Sequence, residues 1–101
     1  MLKNFRTYNL AVEFYKQAKA VALPRHLKEQ LNRASSSIAL NLAEGTGKQS
    51  REDMRRFYEI AFGSLRECQA ILDLADKQNT TLGLSADHLA ASLYRLIKAT
   101  I

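Results

Sequence analysis

The sequence predicts an all-α protein, an up-down-up-down antiparallel four-helix bundle forming a single domain over residues 1–101, from three observations. One proline and four glycines leave few breakers in 101 residues, which favours long helices. Apolar residues recur at spacings of three and four through four segments, and no segment alternates with the period of two that a strand needs. Turn-forming residues cluster at three places only: Leu23-Pro24, Gly45 to Ser50, and Asn79 to Gly83.

The first helix is expected over about residues 5–21. Tyr8, Ala11, Val12, Tyr15 and Ala18 make one apolar stripe, and Leu10, Phe14 and Val21 make a second beside it. One stripe suffices for a monomeric bundle, so the second points to a further partner, a homo-oligomer; a small bundle that buries a wide arc internally is the competing reading. Leu23-Pro24 ends this helix, and Pro24 suits the first turn of the next, where a missing N–H costs nothing.

The second helix is expected over about 25–44, with Leu27, Leu31, Ala34, Ile38 and Leu42 inward. Arg25, Glu29 and Arg33 fall at successive i, i+4 positions, an arrangement for ion pairs. Gly45 reads as a left-handed residue just past the last turn. Ser50 to Asp53 has the form of a capping box and opens a third helix over about 51–77. Its spine is Met54, Tyr58, Ala61, Leu65, Cys68, Leu72 and Ala75, and Phe57, Ile60, Phe62, Ile71 and Leu74 widen the apolar arc. The fourth helix is expected over about 85–100, opened by Ser85 and Asp87. Small and hydroxyl residues from Ala34 to Asn41, and Ala61, Gly63 and Ser64, mark where the second and third helices should touch. A mid-helix glycine costs about 1 kcal/mol relative to alanine and is commonly offset by close approach.

Charge narrows the function classes. The net charge is +5, and all of it lies in residues 1–33, where seven basic residues face Glu13 and Glu29; residues 34–101 are balanced. Such asymmetry suits a polyanion-facing surface, with a merely solvated basic face as the plain alternative. Lys16, Lys19, Arg25, Lys28 and Arg33 are the first candidates for phosphate contacts, and Lys48, Arg51 and Arg55 the second. Glu52 and Glu59 stand at pairing distance from the arginines of the third helix. No apolar run approaches the ~20 residues of a membrane span, no apolar signal segment opens the chain, and the single Cys68 fits a reducing compartment. The expectation is a cytoplasmic protein with no membrane role.

Signals for catalysis are weak. Glu44-Gly45-Thr46-Gly47-Lys48-Gln49 lacks the first glycine and the hydroxyl of a phosphate-binding loop, and follows a helix where that loop follows a strand. Cys68 sits on an apolar spine, and His26 and His88 lie in other segments, so neither a nucleophile–base pair nor a metal set is evident. No Glu-x-x-His occurs, which removes the di-iron bundle class. Enzymatic activity, cofactors, metals and a small-molecule substrate are not expected. Ser36, Ser37, Asn41 and Glu44 form a polar stripe that would fix helix register or a subunit contact; a ligand site is the second reading.

The run Gln30-x-x-Arg33-Ala34-x-x-Ser37-Ile38-x-x-Asn41-x-Ala43-Glu44-Gly45, followed by Phe57-x-x-x-Ala61-x-Gly63-Ser64-Leu65-x-Glu67, resembles the four-helix bundle proteins of bacterial 23S rRNA intervening sequences. That family is similar to the accessory variability determinant protein of diversity-generating retroelements. The resemblance implies a ring-like homopentamer with a basic surface suited to RNA or DNA and no catalytic activity. It gives Ser37, Asn41, Glu44, Gly45, Gly63, Ser64 and Glu67 structural or assembly roles. The segment from Pro24 to Gln30 is shorter than the connection in many members. The expected function is therefore sequence-independent nucleic-acid binding by an oligomer, against an assembly protein that acts through a protein partner.

Overall fold

The computed structural model describes Leu2 and residues 5–101, and within them the chain is all-helical, with four helices and no strand. They are α1 (Arg6–Ala20), α2 (Arg25–Thr46), α3 (Arg51–Leu74) and α4 (Thr81–Thr100). They pack into a rod of 40 × 21 × 20 Å. Each helix touches its neighbour in the chain, and α1 closes onto α4, the contacts that an up-down-up-down course produces.

The four inward stripes meet in one core. Phe14 of α1, Leu31, Ile38 and Leu42 of α2, Leu65 and Leu72 of α3, and Leu89 and Leu93 of α4 are buried completely or nearly so. Each such side chain contributes about 1.5–3 kcal/mol of apolar burial. Phe5 lies against Tyr58, and Tyr58 against Thr46. Hence the start of α1, the end of α2 and the second turn of α3 share one end of the rod. A buried Thr7–Ser92 hydroxyl bond of 2.8 Å ties α1 to α4 at that level. Further along, Gln69 Nε2 donates to Asp87 Oδ1 at 3.0 Å and fixes α3 against α4.

Helix ends differ from expectation for local reasons. α2 continues through Gly45 to Thr46, and among the described residues no glycine has positive φ. Gly45 is glycine for space: a Cβ there would lie 2.7 Å from Tyr58 Cε1 and 3.1 Å from Phe57 Cβ. α3 stops at Leu74 rather than 77 because Asp76 turns the chain with φ 59°. α4 starts at Thr81, before the expected 85, because Thr80 is its cap, accepting from Gly83 N–H at 3.3 Å. That first turn rests on the preceding loop, where a Cβ on Gly83 would meet Gln78 O at 2.0 Å. Ser50 does cap α3, accepting from Asp53 N–H at 3.0 Å.

The expected breadth of the buried arcs is only partly realised. Phe14 and Ile71 are buried, whereas Ile60 and Leu74 of the outer row stand exposed, as does Leu40 of α2. Tyr8, Val12 and Tyr15 of α1 are half-buried beside Ser36, Ala39 and Leu40, lining an open groove of about 240 Å³.

Candidate nucleic-acid interface

The candidate cations do not form one patch. Lys16, Lys19, Arg25 and Lys28 gather where α1 ends and α2 begins, while Lys48, Arg51 and Arg55 flank the loop between α2 and α3. The 22 residues of α2 separate these groups by about 33 Å at 1.5 Å per residue, most of the length of the rod. Lys3, which the charge count includes, lies outside the described residues.

Their partners sort them further. Lys28 turns onto the end of α1, where Nζ donates to Ala18 O at 3.1 Å, Lys19 O at 2.7 Å and Val21 O. The last carbonyls of a helix carry its negative dipole end, so an ammonium there acts as a cap. Arg25 pairs with Glu29 at 3.1 Å, as the spacing suggests. Arg33, expected to share Glu29, instead reaches Glu67 of α3 at 3.7 Å. Lys48 pairs with Glu44 at 3.1 Å and lies 5.0 Å from the Phe57 ring centre. On α3 the ion pair is Arg56–Asp53, at 3.8 Å, and neither Glu52 nor Glu59 takes an arginine. Of the eight candidate cations, Lys28 is held by carbonyls, three are in ion pairs, and Lys16, Lys19, Arg51 and Arg55 have no acidic partner among the described residues. Lys16, Lys19 and Arg51 are exposed and Arg55 half-buried.

The motif residues of α2 and α3 meet as a network. Ser64 Oγ donates to Ser37 Oγ at 2.9 Å, and Asn41 Nδ2 donates to Ser37 Oγ at 3.0 Å and Ser37 O at 2.9 Å. Hydroxyls bridge the two helices there, with Glu67–Arg33 as a second bridge. Gly63 departs from expectation: it faces outward, and a Cβ on it would meet nothing within 4 Å. It is not a contact between α2 and α3. Ser36 bonds only the Arg33 carbonyl of its own helix.

Residues of α3 and α4 outside the set of candidate contacts form a further cationic surface. Tyr94 is 53% exposed, and Lys98 Nζ lies 5.4 Å from its ring centre. The Arg66 guanidinium lies 4.7 Å from the Phe62 ring centre. The i, i+4 pair Tyr94–Lys98 was visible in the sequence, but the apolar spine of α4 alone does not reveal that its ring is exposed.

Ionisable chemistry is sparse. Burial pushes the Cys68 thiol up to about 12, with the Glu67 carboxylate adding to the rise, so the thiol stays protonated and buried in the core. Among the described residues no three His, Cys, Asp or Glu side chains gather to hold a metal ion, and no helix is long and apolar enough to cross a membrane.

No curated protein matches the chain. The family described as 23S rRNA-intervening sequence protein matches residues 4–100, nearly the whole bundle, including both the α2 and the α3 motif. With four helices joined in this order and Ser37, Asn41 and Ser64 bonded between them, the chain belongs to the 23S rRNA-intervening sequence protein family.

Proposed function

We propose that this protein is a non-enzymatic, oligomeric nucleic-acid-binding bundle of the cytoplasm that holds RNA or DNA by sequence-independent phosphate contacts. The observation that carries the reading is the set of unneutralised cations Lys16, Lys19, Arg51 and Arg55. Arg25, Arg33 and Lys48 contribute from within exposed ion pairs, which are worth little and open readily to a phosphate. Lys28 is withdrawn from the set because α1 uses its charge. In this reading the helices run up-down-up-down, and the two basic ends of each rod become continuous surfaces only through assembly of several copies. The pentamer implied by the family resemblance is one such assembly.

The test is fluorescence anisotropy with a structured RNA and a duplex DNA at ~50 and ~200 mM salt. Four phosphate contacts per subunit should weaken binding by about 10²-fold over that range, and assembly should steepen the slope. The double variant Lys16→Glu, Arg51→Glu should lose binding while keeping its oligomeric state. If neither probe binds wild type at low salt, the reading fails. That result would favour the second one, an assembly protein with a protein partner, which the exposed Leu40 and Ile60 and the outward-facing Gly63 support.

A further inference from the structure

We infer that the outer face of α3 and α4 is a stacking platform for unpaired bases, with Tyr94 as its ring, so that the polynucleotide preferred here is single-stranded. The inference rests on the nucleic-acid reading above and adds to it a surface and a strand class.

The Gln69–Asp87 bond sets the register between the helices. Seven residues on along α4 from Asp87 is Tyr94, and seven back along α3 from Gln69 is Phe62, so both stay on the faces that carry that bond. A further heptad along α3 brings Arg55, and Arg51 follows one turn beyond. The strip therefore reads Arg66 over Phe62, then Tyr94 beside Lys98, then Arg55 and Arg51. Among the described residues, none of these cations is in an ion pair. The acids facing the strip are Asp87, held by Gln69, and Glu52 and Glu59 on α3.

An exposed aromatic ring among cations matches a strand that offers bases and phosphates together. A duplex hides its base faces, and opening a step to admit a side chain costs a few kcal/mol. The platform thus discriminates by access rather than by sequence. Tyr94 is accessible for this role: its ring stands half out of the bundle with the flexible Lys98 ammonium over it, and among the described residues no aromatic ring packs on it.

The test compares wild type, Tyr94→Ala, Tyr94→Phe and Arg51→Glu for a labelled single-stranded oligonucleotide and a duplex of the same length. Tyr94→Ala should weaken single-strand binding about 5- to 150-fold. That is the change ~1–3 kcal/mol of stacking on one base gives at 1.4 kcal/mol per tenfold. Duplex binding should hold, and Tyr94→Phe, which keeps the ring, should bind like wild type. Sedimentation and circular dichroism should match wild type, since residue 94 is outside the core. Unchanged single-strand affinity in Tyr94→Ala, with Arg51→Glu still impaired, overturns the platform and leaves the phosphate reading standing. Equal losses on both probes, or a changed oligomeric state in Tyr94→Ala, also overturn it. Failure of wild type to bind any probe overturns the broader reading instead.

Discussion

The glycines show how one residue type answers different physical demands. Gly45 has ordinary helical geometry, and it is the Tyr58 ring, 2% exposed and pressed on it, that excludes a side chain. Gly45→Ala is expected to destabilise the fold by about 1–3 kcal/mol through overpacking, although alanine is the better helix former. A fall in the urea midpoint at unchanged slope would show it; an equal or higher midpoint would mean that Tyr58 moves aside freely. Cys68 offers a test by pH. Its thiol rises from the ordinary 9.0 to about 12 in the fold, so between those values the folded chain binds more proton than the unfolded one. This contribution is present in full below pH ~9 and is lost as pH climbs toward ~12. Wild type should therefore lose more stability than Cys68→Val between pH 8 and pH 10.5 in urea melts. Parallel losses would contradict that assignment.

At the scale of the helix, ends are decided by single side chains reaching back or across. Lys28 is the clearest case, with one ammonium serving three carbonyls around the end of α1. Lys28→Met keeps the aliphatic stem but removes the cap, and should cost about 1.5–3 kcal/mol, the range for a bond to a charged group. The salt slope of nucleic-acid binding should stay as in wild type; a reduced slope would return Lys28 to the phosphate contacts. This residue also shows what periodicity can and cannot reveal. The spine from Tyr58 to Leu72 was legible because core positions follow the 3.6-residue repeat, and the Ser50 cap because its bonds are local. The Ser37–Ser64 contact was legible as small residues on facing helices. The partners of Lys28 and Arg33 were not legible because they lie 7 to 34 positions away, and the cap at Thr80 because it sits among residues equally suited to a turn. The charge asymmetry was read correctly along the chain.

For the whole molecule, the outward face of α3 carries the argument about assembly. Gly63 stands mid-helix at a cost of about 1 kcal/mol relative to alanine, and nothing within the chain occupies the space its missing side chain leaves. Ile60, three positions before it on α3, is 47% exposed. Solvent gives no reason to keep a glycine there, whereas the proposed assembly would, with a helix of a second copy lying close against α3. A substitution then acts oppositely on the two states. Gly63→Ala should raise the stability of the isolated chain by about 0.5–1 kcal/mol, read in urea melts under dilute, monomeric conditions. The bulkier Gly63→Leu should break the assembly by standing in the contact, read by sedimentation velocity at higher concentration. Nucleic-acid binding should then lose its steep salt dependence, because a single rod presents its two basic ends about 33 Å apart and engages few phosphates at once. If Gly63→Leu sediments like wild type, the subunit contact lies elsewhere, and the groove lined by Tyr8, Val12 and Tyr15 becomes the face to mutate next.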